Sequence, residues 1–164
     1  LGKKIKKFLH EEKDVICDRS EFLLFVADRA QHFQTIVLPA LSAGKVVISD
    51  RMNHSSIAYQ GYGRDLDIEF IKQANTWAMQ GVEQDLIFNL KIDIETALNR
   101  IEKRGEKLTS FEQEKIDFWI KVSLGFDEIF KNKQNVVELN GREDIQLLAS
   151  TVATEISEKY DKKN

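Results

Sequence analysis

The stretch KVVISDRMNHSSIAYQGYGR, residues 45–64, passes in one step from an apolar run into charge and hydroxyls. Val46, Val47 and Ile48 are β-branched and read as a short buried strand over 45–49. Asp50-Arg51 follows at once, and Ser55, Ser56, Tyr59 and Gln60 fall on a predicted helix over 54–61, with Arg64 just beyond it. Downstream the alternation repeats. Residues 85–90 (DLIFNL) and 136–139 (VVEL) read as strands, and 67–80, 94–104, 111–130 and 142–160 as helices. Upstream, 2–12 reads as a short helix. A longer one starts with Asp18 or Ser20 as its cap, carries Phe22, Phe25, Val26, Arg29, Phe33 and Ile36, and ends near Gly44. Strands separated by helices pair in parallel and carry those helices on the sheet faces. The expected fold is therefore α/β, a parallel sheet flanked by helices.

Composition narrows the function classes. The chain has 164 residues, 42% hydrophobic and 31% charged, which describes a globular protein with a real core. A net charge of −3 argues against a protein built to coat nucleic acid. Cys17 is the only cysteine, so no disulfide forms within the chain, and a reducing, cytoplasmic setting is expected. No apolar run approaches the roughly 20 residues of a membrane span. His10, His32 and His54 do not pair with Cys or acids at ligand spacing, so no metal site made by protein ligands alone is expected. With no repeat and a single Pro, residues 1–164 read as one domain.

In an open parallel sheet, ligands bind outside the carboxyl ends of the strands, and Asp50-Arg51 occupies such an end. Arg51 offers a planar fork that grips phosphate, and Asp50 can hold that fork or assist a metal ion. The plain alternative is a solvated ion pair at a loop. Ser55 with Tyr59, and Ser56 with Gln60, are one helical turn apart and together suit a polar ligand; a capped surface helix would look the same. Phe25 and Arg29 are also one turn apart, where a ring can sandwich a planar base and a guanidinium can bond its carbonyl. Phe25 could equally be core, as Phe22 and Phe33 are expected to be. Arg100 and Arg104, in the run RIEKRGEK (100–107), could begin a lid over phosphates or simply favour a helix end.

Taken together, these residues resemble the thymidylate kinases, which phosphorylate dTMP with ATP. The resemblance runs over nearly the whole chain and is densest at LLFVADRAQH (23–32), LPALSAGKVVISDR (38–51) and SSIAYQGYGR (55–64). It implies a nucleoside-monophosphate-kinase fold of the P-loop type, Mg²⁺ carried with ATP, and a homodimer. By the same resemblance Phe25 stacks on thymine, Arg29 bonds a base carbonyl and Ser56, with Ser55 beside it, approaches the base edge. Tyr59 lies against the deoxyribose, where it disfavours a 2′-hydroxyl. Arg51 reaches the monophosphate, with Asp50 near the phosphates and metal. Gln60 and Arg64 lie near the nucleotide, and Arg100 and Arg104 face the ATP phosphates from a lid at about 100–114.

Several positions depart from the family pattern. Met52 follows Asp50-Arg51 where an aromatic residue is common, and Lys91 stands where the strand usually ends in an acid. The stretch GEKLTSFEQE (105–114) lacks the usual mixture of Asp and Arg in the lid. No G-x-x-x-x-G-K-[ST] occurs in the chain. The family begins with that loop, so about 40–50 further residues, roughly one βαβ unit, are expected upstream of Leu1. Without the loop's amides and Lys, a chain with an intact dTMP pocket is expected to be nearly inert. Two other readings are a non-catalytic nucleotide-binding or assembly remnant, and a kinase acting on a related nucleoside or its monophosphate.

Overall fold

Phe22, Val26, Phe33 and Val37 recur at helical spacing, and in the computed structural model they line the buried side of one long helical rod. The rod is α2 (Asp18–His32), a wider π-helical stretch (Phe33–Val37) and α3 (Leu38–Ser42), preceded by α1 (Gly2–Glu11). Cys17, not Asp18 or Ser20, occupies its N-cap, with no side-chain cap bond. The structure describes residues 1–12, 15–105, 108, 109 and 111–161. The expected lid positions Glu106, Lys107 and Ser110, and the side chain of His10, lie outside the described residues. Two compact units emerge, one of Leu1–Glu83 with Lys107–Lys131 and one of Gln84–Glu106 with Asn132–Asn164.

In the first unit, α4 (Asn53–Ser56) runs into a second π-helical stretch, Ile57–Gly63. Its wider turn is closed by the Arg64 amide donating to the Tyr59 carbonyl at 3.0 Å. Ile57 joins Phe22, Val26, Ile71 and Ala78 in one core cluster, while Ala58 and Tyr59 join Phe118 and Val122 in another. These partners come from α2, α5 (Ile68–Ala78) and α7 (Ile116–Phe130). Buried side chains of this size each contribute about 1.5–3 kcal/mol. α5 is capped by the Asp67 carboxylate, which accepts from the Phe70 amide at 3.0 Å.

Residues 45–49 do not form the expected strand. No ladder partner for them exists among the described residues, and a strand is held only by its neighbours' hydrogen bonds. Nor is the run buried: Val46 is 59% and Ile48 85% exposed, and only Val47 packs, against the Phe33, Val37 and Met79 cluster. The helix expected from 111 begins at Ile116.

The second unit holds the sheet. β1 (Ile87–Lys91) and β2 (Val136–Asn140) pair in parallel, with Ile87 opposite Val136 and Lys91 opposite Asn140. The unit also contains α6 (Ile94–Arg104) and α8 (Ile145–Asp161). Asp93 caps α6 by accepting from the Thr96 amide at 2.8 Å, and Gly105 closes it at φ +66°, a conformation that favours glycine. No described helix is long and apolar enough to cross a membrane.

The close approach of α7 to the 57–63 segment depends on two glycines. A Cβ on Gly63 would lie 2.5 Å from Phe118 Cε2, and one on Gly125 would lie 2.8 Å from the Tyr62 ring. Replacing Gly125 by Ala gains up to about 1 kcal/mol of helix propensity. Overpacking a filled contact loses about 1–3 kcal/mol. Gly125→Ala is therefore expected to lower the denaturant midpoint, and an unchanged midpoint in an unfolding titration would show that Tyr62 swings aside freely.

Candidate functional site

Arg29 projects from α2 toward α4 and α5. Its Nη1 donates to Asn75 Oδ1, and its Nη2 donates to Ser56 Oγ at 3.1 Å and to the Met52 carbonyl at 3.5 Å. All three acceptors are neutral. Burial draws the guanidinium pKa down to about 10, opposed by the nearby Asp28 carboxylate. Phe25 lies one turn earlier on the same helix. Phe22 and Phe33 are 2% and 1% exposed, whereas Phe25 is only partly buried and belongs to none of the core clusters. A partly open ring thus shares one helix side with a guanidinium whose hydrogen bonds among the described residues go to neutral acceptors, with the Asp28 carboxylate nearby.

Arg51 follows the 45–49 run in a left-handed conformation, φ +64°, unusual for a residue with a Cβ. Such backbone strain needs surrounding support, and here Ser49 Oγ donates to the Arg51 carbonyl at 2.9 Å. The turned backbone sends the side chain to Tyr59, whose hydroxyl accepts from Arg51 Nη1 at 2.8 Å. Tyr59 itself is walled by Phe111, Phe118, Trp119 and Phe126, each meeting its ring edge-on at 5.1–6.3 Å between centroids. This geometry leaves the ring little freedom and holds its hydroxyl at Arg51. Asp50 and Arg51 are both exposed.

Arg64 behaves differently. Its Nη2 lies 2.9 Å from Glu114 and 3.7 Å from Glu21, and its Nε lies 3.2 Å from Asp18. The guanidinium also lies over the Phe118 ring, 5.0 Å from its centroid. Gln60, 2% exposed, donates its Nε2 to Glu21 at 2.8 Å. Burial pushes the Glu21 carboxyl up, and Asp18 and Glu114 push it the same way against the pull of Gln60 and Arg64.

The first unit thus brings Arg29, Ser56, Arg51 and Tyr59 into direct hydrogen-bonded pairs, and it joins Gln60 to Arg64 through Glu21. Ser55 is partly buried on α4 beside Ser56. Arg100 and Arg104 lie on α6 in the second unit, where Arg100 Nη2 donates to the Gly141 carbonyl at 2.9 Å. Sequence reasoning missed Asn75, Glu21, Glu114 and Phe111. Asn75 alone left a signal, since it interrupts the buried apolar positions Ile71 and Ala78 of α5.

A raised Glu21 pKa has a definite stability sign. The folded state holds the Glu21 proton more tightly than the unfolded chain, so stability falls as pH rises from the ordinary glutamate value through the folded one. Glu21→Gln keeps an acceptor for Gln60 and removes that titration. The melting-temperature difference, variant minus parent, is expected to grow more positive between pH 4 and pH 8; a flat difference would refute the burial effect.

The sequence was also compared with known proteins. A family model described as Thymidylate kinase matches residues 1–152. The chain is 42% identical over 153 residues to a thymidylate kinase of Trichodesmium erythraeum, covering 89% of this chain and 67% of that one. It is 39% identical over 142 residues to that of Halothermothrix orenii, covering 84% and 67%. A Lactobacillus acidophilus thymidylate kinase is 39% identical over 166 residues, covering 95% and 77%. The family model spans residues of both units, and on this match and these identities the chain belongs to the thymidylate kinase family.

Proposed function

We propose that this chain binds dTMP in the first unit and serves its phosphorylation to dTDP by ATP. The observation that carries the reading is Arg29: an enclosed guanidinium held by three neutral acceptors, one helical turn from a partly open Phe25 ring. Such a pair suits a planar base with a carbonyl edge, the ring covering its face and the guanidinium donating to the carbonyl. Ser56 then lies at the base edge through its bond to Arg29, with Ser55 next to it. Tyr59 packs against the deoxyribose. Arg51, exposed and steadied by the Tyr59 hydroxyl, takes the monophosphate and offsets the charge of the attacking oxygen. Gln60 and Arg64, tied to Glu21, support the pocket from beneath.

In phosphoryl transfer the protein contributes chiefly positioning and charge stabilisation. Arg100 and Arg104 are proposed to approach the ATP phosphates. Mg²⁺ typically keeps several waters and substrate phosphates with only one or two carboxylates, a donor set that the exposed Asp50 fits. Bound there with ATP, it would supply charge neutralisation. A cytoplasmic homodimer, with no nucleic-acid or membrane partner, completes the reading.

The test is ADP release from ATP plus dTMP by the protein with its natural ends, and absence of turnover would sink the proposal. dTMP should be preferred over dUMP only modestly, since one methyl in a pocket is worth about 1–3 kcal/mol. Stacking on an aromatic ring is worth about 1–3 kcal/mol per base, so Phe25→Ala should lower kcat/KM for dTMP by about ten- to a hundredfold. That loss should appear mainly in KM.

A further inference from the structure

Asn75 enters the reading above only as one of the three acceptors of Arg29, yet it makes the most enclosed of those contacts. It is 1% exposed and sits on α5 between the buried Ile71 and Ala78, where an apolar residue would be expected. Burying an amide is unfavourable unless its hydrogen bonds are made. Here only half are made. Oδ1 accepts from Arg29 Nη1, while Nδ2 is fully buried with no partner among the described residues. The amide cannot turn to mend this, because a guanidinium only donates and so the carbonyl oxygen must face it.

An aspartate would fill the same space, remove the orphaned donor and pair the guanidinium with an opposite charge. Asn fills the space but does neither of the other two. We infer that Asn75 is a positioning residue: it aims the Arg29 fork at the nucleobase through a neutral acceptor, so that the guanidinium keeps its charge for the ligand carbonyl. The Ser56 hydroxyl and Met52 carbonyl, the other two acceptors, are neutral as well. A carboxylate at 75 would weaken the donation to the base by satisfying the charge first. The inference rests on the proposed dTMP reading and adds to it how base recognition is set.

The test compares the parent with Asn75→Asp, Asn75→Ser and Arg29→Met, all with natural chain ends. Asn75→Asp should melt no lower than the parent at pH 7, while its KM for dTMP rises about tenfold, the scale of one charge-assisted hydrogen bond, with kcat nearly unchanged. Asn75→Ser, too short to reach the fork, should raise KM similarly. dTMP analogues lacking one or the other ring carbonyl separate aim from packing. For the analogue without the carbonyl that Arg29 reads, parent and Asn75→Asp should have the same KM. If Asn75→Asp leaves the KM for dTMP unchanged, or raises it equally for every analogue, Asn75 is only a packing residue and the inference is overturned. If the parent makes no dTDP, the underlying reading fails. A parent that is active and sensitive to Arg29→Met but not to Asn75→Asp refutes this inference alone.

Discussion

The first unit depends on the complete burial of one turn of chain, Ile57 to Gly61. A turn buried on all sides must find partners in every direction, and it does. Ile57 meets Phe22 and Ile71, and Tyr59 meets Phe118 and Val122. The π-helical winding is what lets neighbouring residues face different cores. A regular α-helix turns 100° per residue, and the wider turn redistributes those directions. Gly63 and Gly125 bring α7 close enough to finish the enclosure. Because the turn cannot shift without opening two clusters, Ser56 and Tyr59 at its start are held firmly, and so are Arg29 and Arg51, which bond to them.

Two largely enclosed arginines receive opposite electrostatic treatment within this unit. Arg64 is surrounded by Asp18, Glu21 and Glu114, and its charge is satisfied by the fold. The hydrogen bonds of Arg29 among the described residues go to amide, hydroxyl and carbonyl oxygens, with the Asp28 carboxylate nearby. Hydrogen bonds to neutral oxygens meet the charge of an enclosed guanidinium less fully than ion pairs do. Ion pairs thus hold Arg64 in the fold, whereas neutral oxygens hold Arg29. Gln60 is likewise set apart from the other polar residues of its segment, because its Nε2 is committed to Glu21.

Most of the helices were legible because apolar residues at three- and four-residue spacing leave a strong trace. The parallel pairing of 87–91 with 136–140 follows from the alternation of strand and helix. The strand expected at 45–49 failed for a physical reason. A β-branched run has a preference for extended chain, but the ladder needs a neighbour, and the described residues provide none. Burial was misjudged with it, since Val46 and Ile48 face solvent while Val47 alone packs. That Phe25 and Arg29 share one side of α2 was legible from their spacing, because residues one helical turn apart must share a side of the helix.

What the residues alone determined is therefore local: helix periods, the two strands, and which side chains share a side of a helix. Which of them are electrostatically spent was decided only in three dimensions. Glu21 and Arg64 are 43 positions apart in the chain, and Arg29 and Asn75 are 46. No periodicity links such distances. Hydrogen bonding and desolvation act through space, so whether a guanidinium meets a carboxylate or an amide depends on how α2, α5 and the 57–63 turn pack.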